Sequence, residues 1–132
     1  MYVVLENYLQ MVCDYPAAYE GQPGFEFIKE IPTTWDEIKV IDAKVSEYIL
    51  IARRKNNEWY IGAINNHEGR WVTIPLRFLG EGKYDAEIYT DADDTNENPN
   101  HLILQKQTIA KEDNLSLKLA AGGGLVIHLK KK

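Results

Sequence analysis

Two adjacent carboxylates beside an aromatic ring are the first feature of this chain with the makings of a catalytic site. Asp36 and Glu37 follow Trp35 in the stretch IPTTWDEIKVID. Sugar-cleaving enzymes use a pair of carboxylates, but the two groups must stand roughly 5 to 9.5 Å apart across the sugar. Neighbouring side chains point to different sides of a strand or of a helix. We therefore expect that this pair does not flank a glycosidic bond.

The same stretch has two structural interpretations. A threonine three residues before Glu37 fits the capping box at the start of a helix. Alternatively, the stretch is a strand that leads into a sheet, with Ile38 and Val40 buried and Lys39 and Ile41 on the other side. Both interpretations give the carboxylates a structural role, and the sequence leaves the choice open.

Aromatic side chains are the second group with chemical potential. Flat rings stack on the apolar faces of sugars, and Trp59, Tyr60 and Trp71 are candidates for such a sugar-stacking platform, together with Tyr84 and Tyr89. Because Trp59 and Tyr60 are adjacent in a strand pattern, they should point to opposite faces, so we expect one of them in the core. The competing interpretation is that all of these rings pack in the core or between domains.

The acidic stretch TDADDTNENPN, residues 90–100, invites comparison with a calcium loop. Asp91, Asp93 and Thr95 alternate as ligands do, yet Asn96 stands where an EF-hand needs glycine and Leu102 where it needs a bidentate glutamate. The sequence therefore predicts a solvated turn, with an adventitious calcium ion as the alternative.

The other reactive side chains form no catalytic or metal-binding pattern. His67, His101 and His128 show no zinc-like spacing, with one another or with Cys13. Cys13 has no histidine nearby and is expected to be buried as a small apolar group. The stretch AAGGGLV lacks the ending and the following helix of a phosphate loop, so it predicts a tight turn. We expect no cofactor and no metal in this chain.

Composition narrows the classes of protein to consider. The chain has 132 residues, of which 45% are hydrophobic and 27% charged, as in one compact globular domain. Its net charge of -5 argues against a nucleic-acid surface. No apolar run approaches the roughly 18 residues of a membrane span, and the first residues lack the pattern of a secretory signal. The single cysteine leaves the compartment open.

The periodicity of the chain changes near residue 42. Before it, PGFEFIKEI predicts a short amphipathic helix. After it, period-2 runs predict seven strands, the first two of which form a hairpin over residues 46–65. Strands this close together pair antiparallel, because a parallel crossover needs a dozen or more residues. We therefore expect a mainly β fold, an antiparallel β-sandwich of about seven strands with a short helical N-terminal segment.

Four long stretches carry a family resemblance. They are LQMVCDYPAAYE, FEFIKEIPTTWDEIKVIDAKVSEYILIARRKNNEWYIGAINN, RFLGEGKYDAEIYTD and LKLAAGGGLVIHL, which together cover nearly the whole chain. They resemble the C-terminal region of glycoside hydrolase family 97, the α-glucosidases and α-galactosidases best known from gut Bacteroidetes.

The resemblance implies a division of the chain. Family 97 enzymes have an N-terminal β-supersandwich, a central (β/α)8 barrel and a C-terminal β-sandwich. Residues 1–42 would correspond to the end of the barrel and residues 43–132 to the C-terminal domain, with Trp35, Asp36 and Glu37 at the domain junction. The catalytic glutamates and the calcium ligands of the family lie upstream, so the resemblance places calcium in the parent enzyme and no catalytic residue in this chain.

The resemblance also implies a function. It is that of a non-catalytic β-domain that packs on the barrel of a parent α-glucosidase or α-galactosidase and supports homo-oligomerisation. The alternative is a carbohydrate-binding module that holds an oligosaccharide, an α-glucan, by aromatic stacking. By family resemblance, the parent enzyme is expected in the periplasm.

Overall fold

The computed structural model describes residues 1–132, most of which form β-strands. A 3-10 turn, Pro16–Tyr19, and one helix, α1 (Phe25–Glu30), precede eight strands. These are β1 (Glu37–Lys44), β2 (Tyr48–Lys55), β3 (Glu58–Asn65), β4 (Arg70–Pro75), β5 (Lys83–Asp91), β6 (Leu102–Ala110), β7 (Asn114–Leu119) and β8 (Gly124–Lys131). Neither helical element has the length and hydropathy that crossing a bilayer requires.

The strands form two sheets. Six of them pair in the order β1-β2-β3-β8-β5-β6, and β4 pairs with β7 alone. Every pairing is antiparallel. The predicted mainly β, antiparallel sandwich with a short helical N-terminal segment is therefore confirmed. The additional strand is β1, which corresponds to the strand interpretation of IPTTWDEIKVID; the capping-box interpretation is wrong, because no helix starts there.

The predicted turns occur where the turn residues stand. The hairpin of β2 and β3 closes between Lys55 and Glu58, with Asn56 at a φ of 53°. Asparagine tolerates this left-handed conformation better than most residues. Between β7 and β8, Gly122 has a φ of 69°, which confirms the tight turn expected of the glycine-rich stretch. Pro75 ends β4, which has a neighbour on one side only.

The main core lies between the two sheets. Alternate side chains of the six-stranded sheet, such as Leu50, Ile61 and Ile127, meet those of the small sheet, such as Ile74 and Leu119, and all of them are buried. This is the packing of a β-sandwich, in which one face of each sheet supplies the core.

The strand interpretation of β1 assigned its two faces the wrong way round. Ile38 is 46% and Val40 62% exposed, whereas Ile41 packs against the main core. Val40 pairs with Ile51, whose side chain lies on the outer face of the sheet, and the register shifts between Val40 and Asp42. Alternation predicts that a strand has two faces, but the pairing with its neighbour decides which of them meets the core.

A second, smaller core covers the outer face of the six-stranded sheet. Val3, Val4 and Phe27 of the N-terminal segment are buried against Ile51 and Tyr60. The predicted helix α1 is thus confirmed, and the side chain that it buries is Phe27. Residues 1–31, which we call the N-terminal layer, therefore cover the central strands on the face of the sheet that the small sheet leaves open.

The N-terminal layer lies on the backbone of β3 because Gly62 has no side chain. A Cβ atom at Gly62 would lie 2.8 Å from Val3 Cβ and 3.0 Å from Val4 Cγ2, closer than real Cβ atoms approach.

Strand β1 runs through the predicted domain boundary at Asp42. The sheet itself begins at Glu37, and the division at residue 42 stays a prediction.

We expect the substitution Gly62→Ala to loosen the N-terminal layer. The added methyl group displaces Val3, so the free energy of unfolding should fall by about 1 to 3 kcal/mol, as in other overpacked cores. Urea denaturation measures the loss, and limited proteolysis should cut residues 1–31 faster. Gly80→Ala is the control, because a Cβ there meets only the Tyr84 hydroxyl, at 3.4 Å. An equal effect of both substitutions would contradict the role of Gly62.

Candidate functional site

The carboxylates of the opening stretch fasten β1 to the hairpin beside it. Asp36 Oδ2 accepts a hydrogen bond from the backbone N–H of Asn56 at 2.7 Å, and Asp36 Oδ1 lies 3.4 Å from Lys55 Nζ. Glu37 Oε2 accepts a hydrogen bond from Arg54 Nε at 3.0 Å. The two side chains thus contact different partners, as their adjacent positions predict.

Their ionisation fits this structural role. The hydrogen bond from the Asn56 backbone, with the cations around it, lowers the pKa of Asp36 below its ordinary value. Hydrogen bonds from Lys39 and then Arg54 lower the pKa of Glu37. A general acid in glycoside hydrolysis needs a carboxyl group with a raised pKa. Both groups are shifted in the opposite direction, so they act as ion-pair partners.

Trp35 connects the N-terminal layer to the sheet. Its ring meets that of Tyr60 edge to face at 5.3 Å, and the Arg53 guanidinium lies 5.6 Å from its centroid. Arg53 is buried and donates a hydrogen bond from Nη2 to the carbonyl oxygen of Val4 at 3.1 Å. The three sequence-predicted junction residues therefore lie together where the layer, β1 and the β2–β3 hairpin meet.

A partly buried polar cluster lies under the C-terminal end of α1. Nε2 of the buried His128 lies 2.6 Å from Glu58 Oε2, which also accepts a hydrogen bond from the Tyr60 hydroxyl at 2.9 Å. The Tyr60 ring stacks on His128 at 4.2 Å. Glu30 of α1 lies 3.7 Å from His128 Nδ1 and pairs with Lys130 at 3.2 Å. Sequence analysis missed this cluster, whose only signal is that Glu58 and Tyr60 share a strand face.

The electrostatics of the cluster follow from its hydrogen bonds. Burial by itself would raise the pKa of Glu58, but the hydrogen bonds from His128 and Tyr60 outweigh it, so the pKa is lowered. Burial, followed by the hydrogen bond to Glu58, raises the pKa of Tyr60. At neutral pH the cluster therefore holds a carboxylate on Glu58 and a protonated phenol on Tyr60, both in β3. Their contacts with His128 of β8, which in turn lies near Glu30 of α1, connect the three elements.

The three candidate sugar-stacking rings occupy different environments. Trp59 is 4% exposed in the main core, and Tyr60 is 3% exposed under the N-terminal layer. They do point to opposite faces, but both faces are covered. Tyr84 is buried as well, whereas Trp71 is 70% exposed on the small sheet. The fold separates these rings, and Trp71 alone among the three presents a face to solvent.

The acidic loop between β5 and β6 is tied down by internal contacts. Asp94 pairs with His101 at 2.8 Å, Asp93 with Lys118 at 3.1 Å, and Asp91 accepts a hydrogen bond from the Gly124 N–H at 3.0 Å. No group of three or more His, Cys, Asp or Glu side chains in the chain is arranged to hold a metal ion.

The N-terminal layer turns a row of apolar side chains outward. We call this row the outward apolar surface: it comprises Leu5, Tyr8, Leu9, Met11, Val12 and Tyr15, all exposed. Cys13 lies in the same row and is exposed, so the expectation that it is buried is wrong. Val3 and Val4 take the positions over the sheet, and the chain beyond them lies on the surface. Exposed apolar side chains that adjoin one another mark contact sites for other proteins.

Comparison with known families decides the classification. The sequence model described as "Glycosyl-hydrolase 97 C-terminal, oligomerisation" matches residues 34–130. This chain belongs to that family. The family 97 C-terminal domain thus includes all eight strands except the very end of β8, and the suspected resemblance is confirmed.

Two curated proteins are similar over most of the chain. A retaining α-galactosidase of Bacteroides thetaiotaomicron is 37% identical over 131 residues, which are 98% of this chain and 20% of that protein. A probable retaining α-galactosidase of Streptomyces bingchenggensis is 25% identical over 123 residues, 92% of this chain and 18% of that protein. This chain spans about a fifth of the length of these relatives.

Solved family 97 enzymes share the fold. An enzyme of Pseudoalteromonas sp. strain K8, in complex with acarbose, superimposes with a TM-score of 0.93 at 37% identity over 99% of this chain and 22% of that enzyme. A complex with panose from the same strain has a TM-score of 0.94 at 35% identity, with the same coverage. Together with the family match, this confirms the expected non-catalytic C-terminal β-domain of a glycoside hydrolase, with a role in oligomerisation.

The partly buried cluster predicts how acid destabilises the domain. Because the folded-state pKa of Glu58 is lowered, its contribution to stability is present above the unfolded pKa, roughly 4.3, and is lost as the pH falls through the folded value. We therefore expect Glu58→Gln to reduce the loss of unfolding free energy on acidification. Urea denaturation between about pH 3 and pH 7 measures it.

The control for this experiment is Glu97→Gln, which changes an exposed carboxyl group in the acidic loop. Its pH profile should match that of the unmodified domain. A profile of Glu58→Gln that also matches it would show that the cluster does not contribute to acid sensitivity.

Proposed function

We propose that this domain joins the catalytic part of a family 97 glycoside hydrolase to further copies of the same enzyme, without a catalytic group of its own. The observation that carries the proposal is the two-sided N-terminal layer. Its inner side chains, Val3, Val4 and Phe27, seal the sheet, while the outward apolar surface is left without a partner.

The outward apolar surface fits the remainder of the enzyme. Burying a leucine or methionine side chain of this kind contributes about 1.5 to 3 kcal/mol, so several together support a stable contact between domains. The surface lies on the same side of the sandwich as α1 and the junction residues. In this proposal the barrel of the parent enzyme packs there.

Self-association is assigned to a different surface. The family description names oligomerisation, and its match begins at residue 34, so the surface is sought within residues 34–130. There Ile38 and Val40 of β1 and Val45, which directly follows the strand and is 94% exposed, form what we call the edge surface. Val45 also lines an open depression of about 440 Å³, together with the other residues of 43–49 and with residues 64–66. A second copy of the domain is the proposed occupant.

The parent enzyme is proposed to cleave α-linked galactosides or glucosides. The supporting relatives are the retaining α-galactosidase of B. thetaiotaomicron and the Pseudoalteromonas enzyme that binds acarbose and panose. The periplasm is the proposed location, on the family resemblance. Calcium is proposed for the parent enzyme, on the family resemblance.

The edge surface predicts the outcome of a self-association experiment. Light scattering after size-exclusion chromatography, over a series of concentrations, should show a discrete dimer or larger species. Val40→Glu and Val45→Glu should each shift it towards the monomer, because a charge in an apolar contact must be desolvated. Leu104→Glu, on the opposite edge strand β6, is the matched control and should leave the assembly intact.

Two results would contradict the proposal in different ways. If the unmodified chain is a monomer at every concentration, self-association through this domain is wrong. If it assembles and both edge-surface variants assemble equally well, the edge surface is wrong and assembly uses another face.

The outward apolar surface makes a separate prediction. Leu9→Asp combined with Met11→Asp should reduce the binding of a hydrophobic dye such as ANS, because both side chains are exposed. The free energy of unfolding should change by no more than about 0.5 kcal/mol, as is usual for surface positions. Val3→Asp is the contrasting variant, since Val3 is fully buried and its replacement should destabilise the domain strongly. Unchanged dye binding in the double variant would contradict an accessible surface.

A further inference from the structure

Trp71 stands on a face of the domain that neither the edge surface nor the N-terminal layer occupies. It belongs to β4, whose side chains Val72 and Ile74 point into the main core. The N-terminal layer covers the opposite side of the sandwich, so the outer face of the small sheet points away from it. On this face Trp71 is 70% exposed.

The neighbours of Trp71 on this face are polar or small. Lys118 stands directly opposite in the pairing with β7, and the next pair on the same face is Thr73 with Ser116. Lys118 extends its ammonium group to Asp93 Oδ1 at 3.1 Å, which holds that charge on the loop between β5 and β6. The indole is thus an exposed flat apolar surface, and the neighbouring positions on this face carry ammonium and hydroxyl groups.

A small cleft continues this surface. Its volume is about 120 Å³, and Lys118 lines it together with Asp91 at the end of β5 and with Asp93, Thr95 and Asn96 of the acidic loop. The lining offers a hydrogen-bond donor on Lys118, acceptors on the aspartates, and both on Asn96. Lys118 stands opposite Trp71 in the strand pairing and also lines the cleft, which places the cleft next to the ring.

The size of the face disfavours a protein partner. Strands of six residues are about 20 Å long, and two of them give a face roughly 10 Å wide, or about 200 Å². A stable protein contact needs about 800 Å² on each partner, with an apolar centre. One ring among polar groups falls short of that. The net charge of -5 also disfavours nucleic acid.

A sugar fits the same features. A pyranose presents an apolar C–H face that stacks on an indole, and hydroxyl groups at its edge that need donors and acceptors. We propose that Trp71 and the adjoining cleft bind an uncharged pyranose unit of an oligosaccharide, with the indole under the ring and Asp93, Asn96 and Lys118 at its hydroxyl groups. This binding site goes beyond the packing and assembly roles proposed above.

The test is a titration of the whole chain with maltotriose and, separately, raffinose, observed by isothermal calorimetry and by the indole N–H signals in NMR spectra. At least one sugar should bind saturably and shift the Trp71 signal. Trp71→Ala should weaken binding about tenfold or more, the value of one aromatic contact. Trp71→Tyr should restore most of the affinity, because a ring remains. Asn96→Ala should weaken binding while the ring is intact.

The matched control is Tyr15→Ala, which removes another exposed aromatic ring, on the outward apolar surface. Its affinity should equal that of the unmodified chain. The proposal is overturned if neither sugar binds saturably, or if Trp71→Ala binds as well as the unmodified chain. It is also overturned if Trp71→Ala dissociates an oligomer while sugar binding is absent, since Trp71 would then anchor a protein contact. None of these results depends on whether β1 mediates assembly.

Discussion

The structure depends on one constraint, that both faces of the central strands of the six-stranded sheet must be removed from water. The small sheet covers one face with the side chains of β4 and β7, and the N-terminal layer covers the other. Either face left open would expose a contiguous patch of branched and aromatic side chains, which soluble domains rarely tolerate. Gly62 matters because it lets the layer approach the strand backbone closely enough to complete the second cover.

The N-terminal layer also explains why three side chains with polar groups are buried. Tyr60, Arg53 and His128 lie on the outer face of the sheet, so the layer that protects the apolar residues buries them too. Burial of a polar group is costly unless it finds a partner. His128 and Tyr60 hydrogen-bond to Glu58, and Arg53 bonds to the backbone of the layer itself. The polar contacts therefore determine where the layer lies on the sheet, while its apolar contacts stabilise it there.

The covering also divides the surfaces that remain. The layer is one segment thick, so its outer side presents apolar residues again, and in our proposal the barrel of the parent enzyme packs there. The exposed side chains of the edge surface and of the small sheet lie at other places and are the proposed sites of self-association and of sugar binding. Such a division suits a domain that spans about a fifth of its relatives, in a family whose description names oligomerisation.

Local patterns in the sequence determined much of this protein. Period-2 alternation, the turn residues and the short spacing between strands predicted an antiparallel sandwich with helix α1 before it, because these signals act over a few residues. The same local argument separated Asp36 from Glu37, and the four long stretches carried the family. Properties that depend on which segments meet were decided by the tertiary structure. They include the exposure of Ile38, the exposure of Cys13 and the choice of Trp71 as the accessible ring. His128 and Glu58 are 70 residues apart and meet only through the pairing of β3 with β8, which no local pattern encodes.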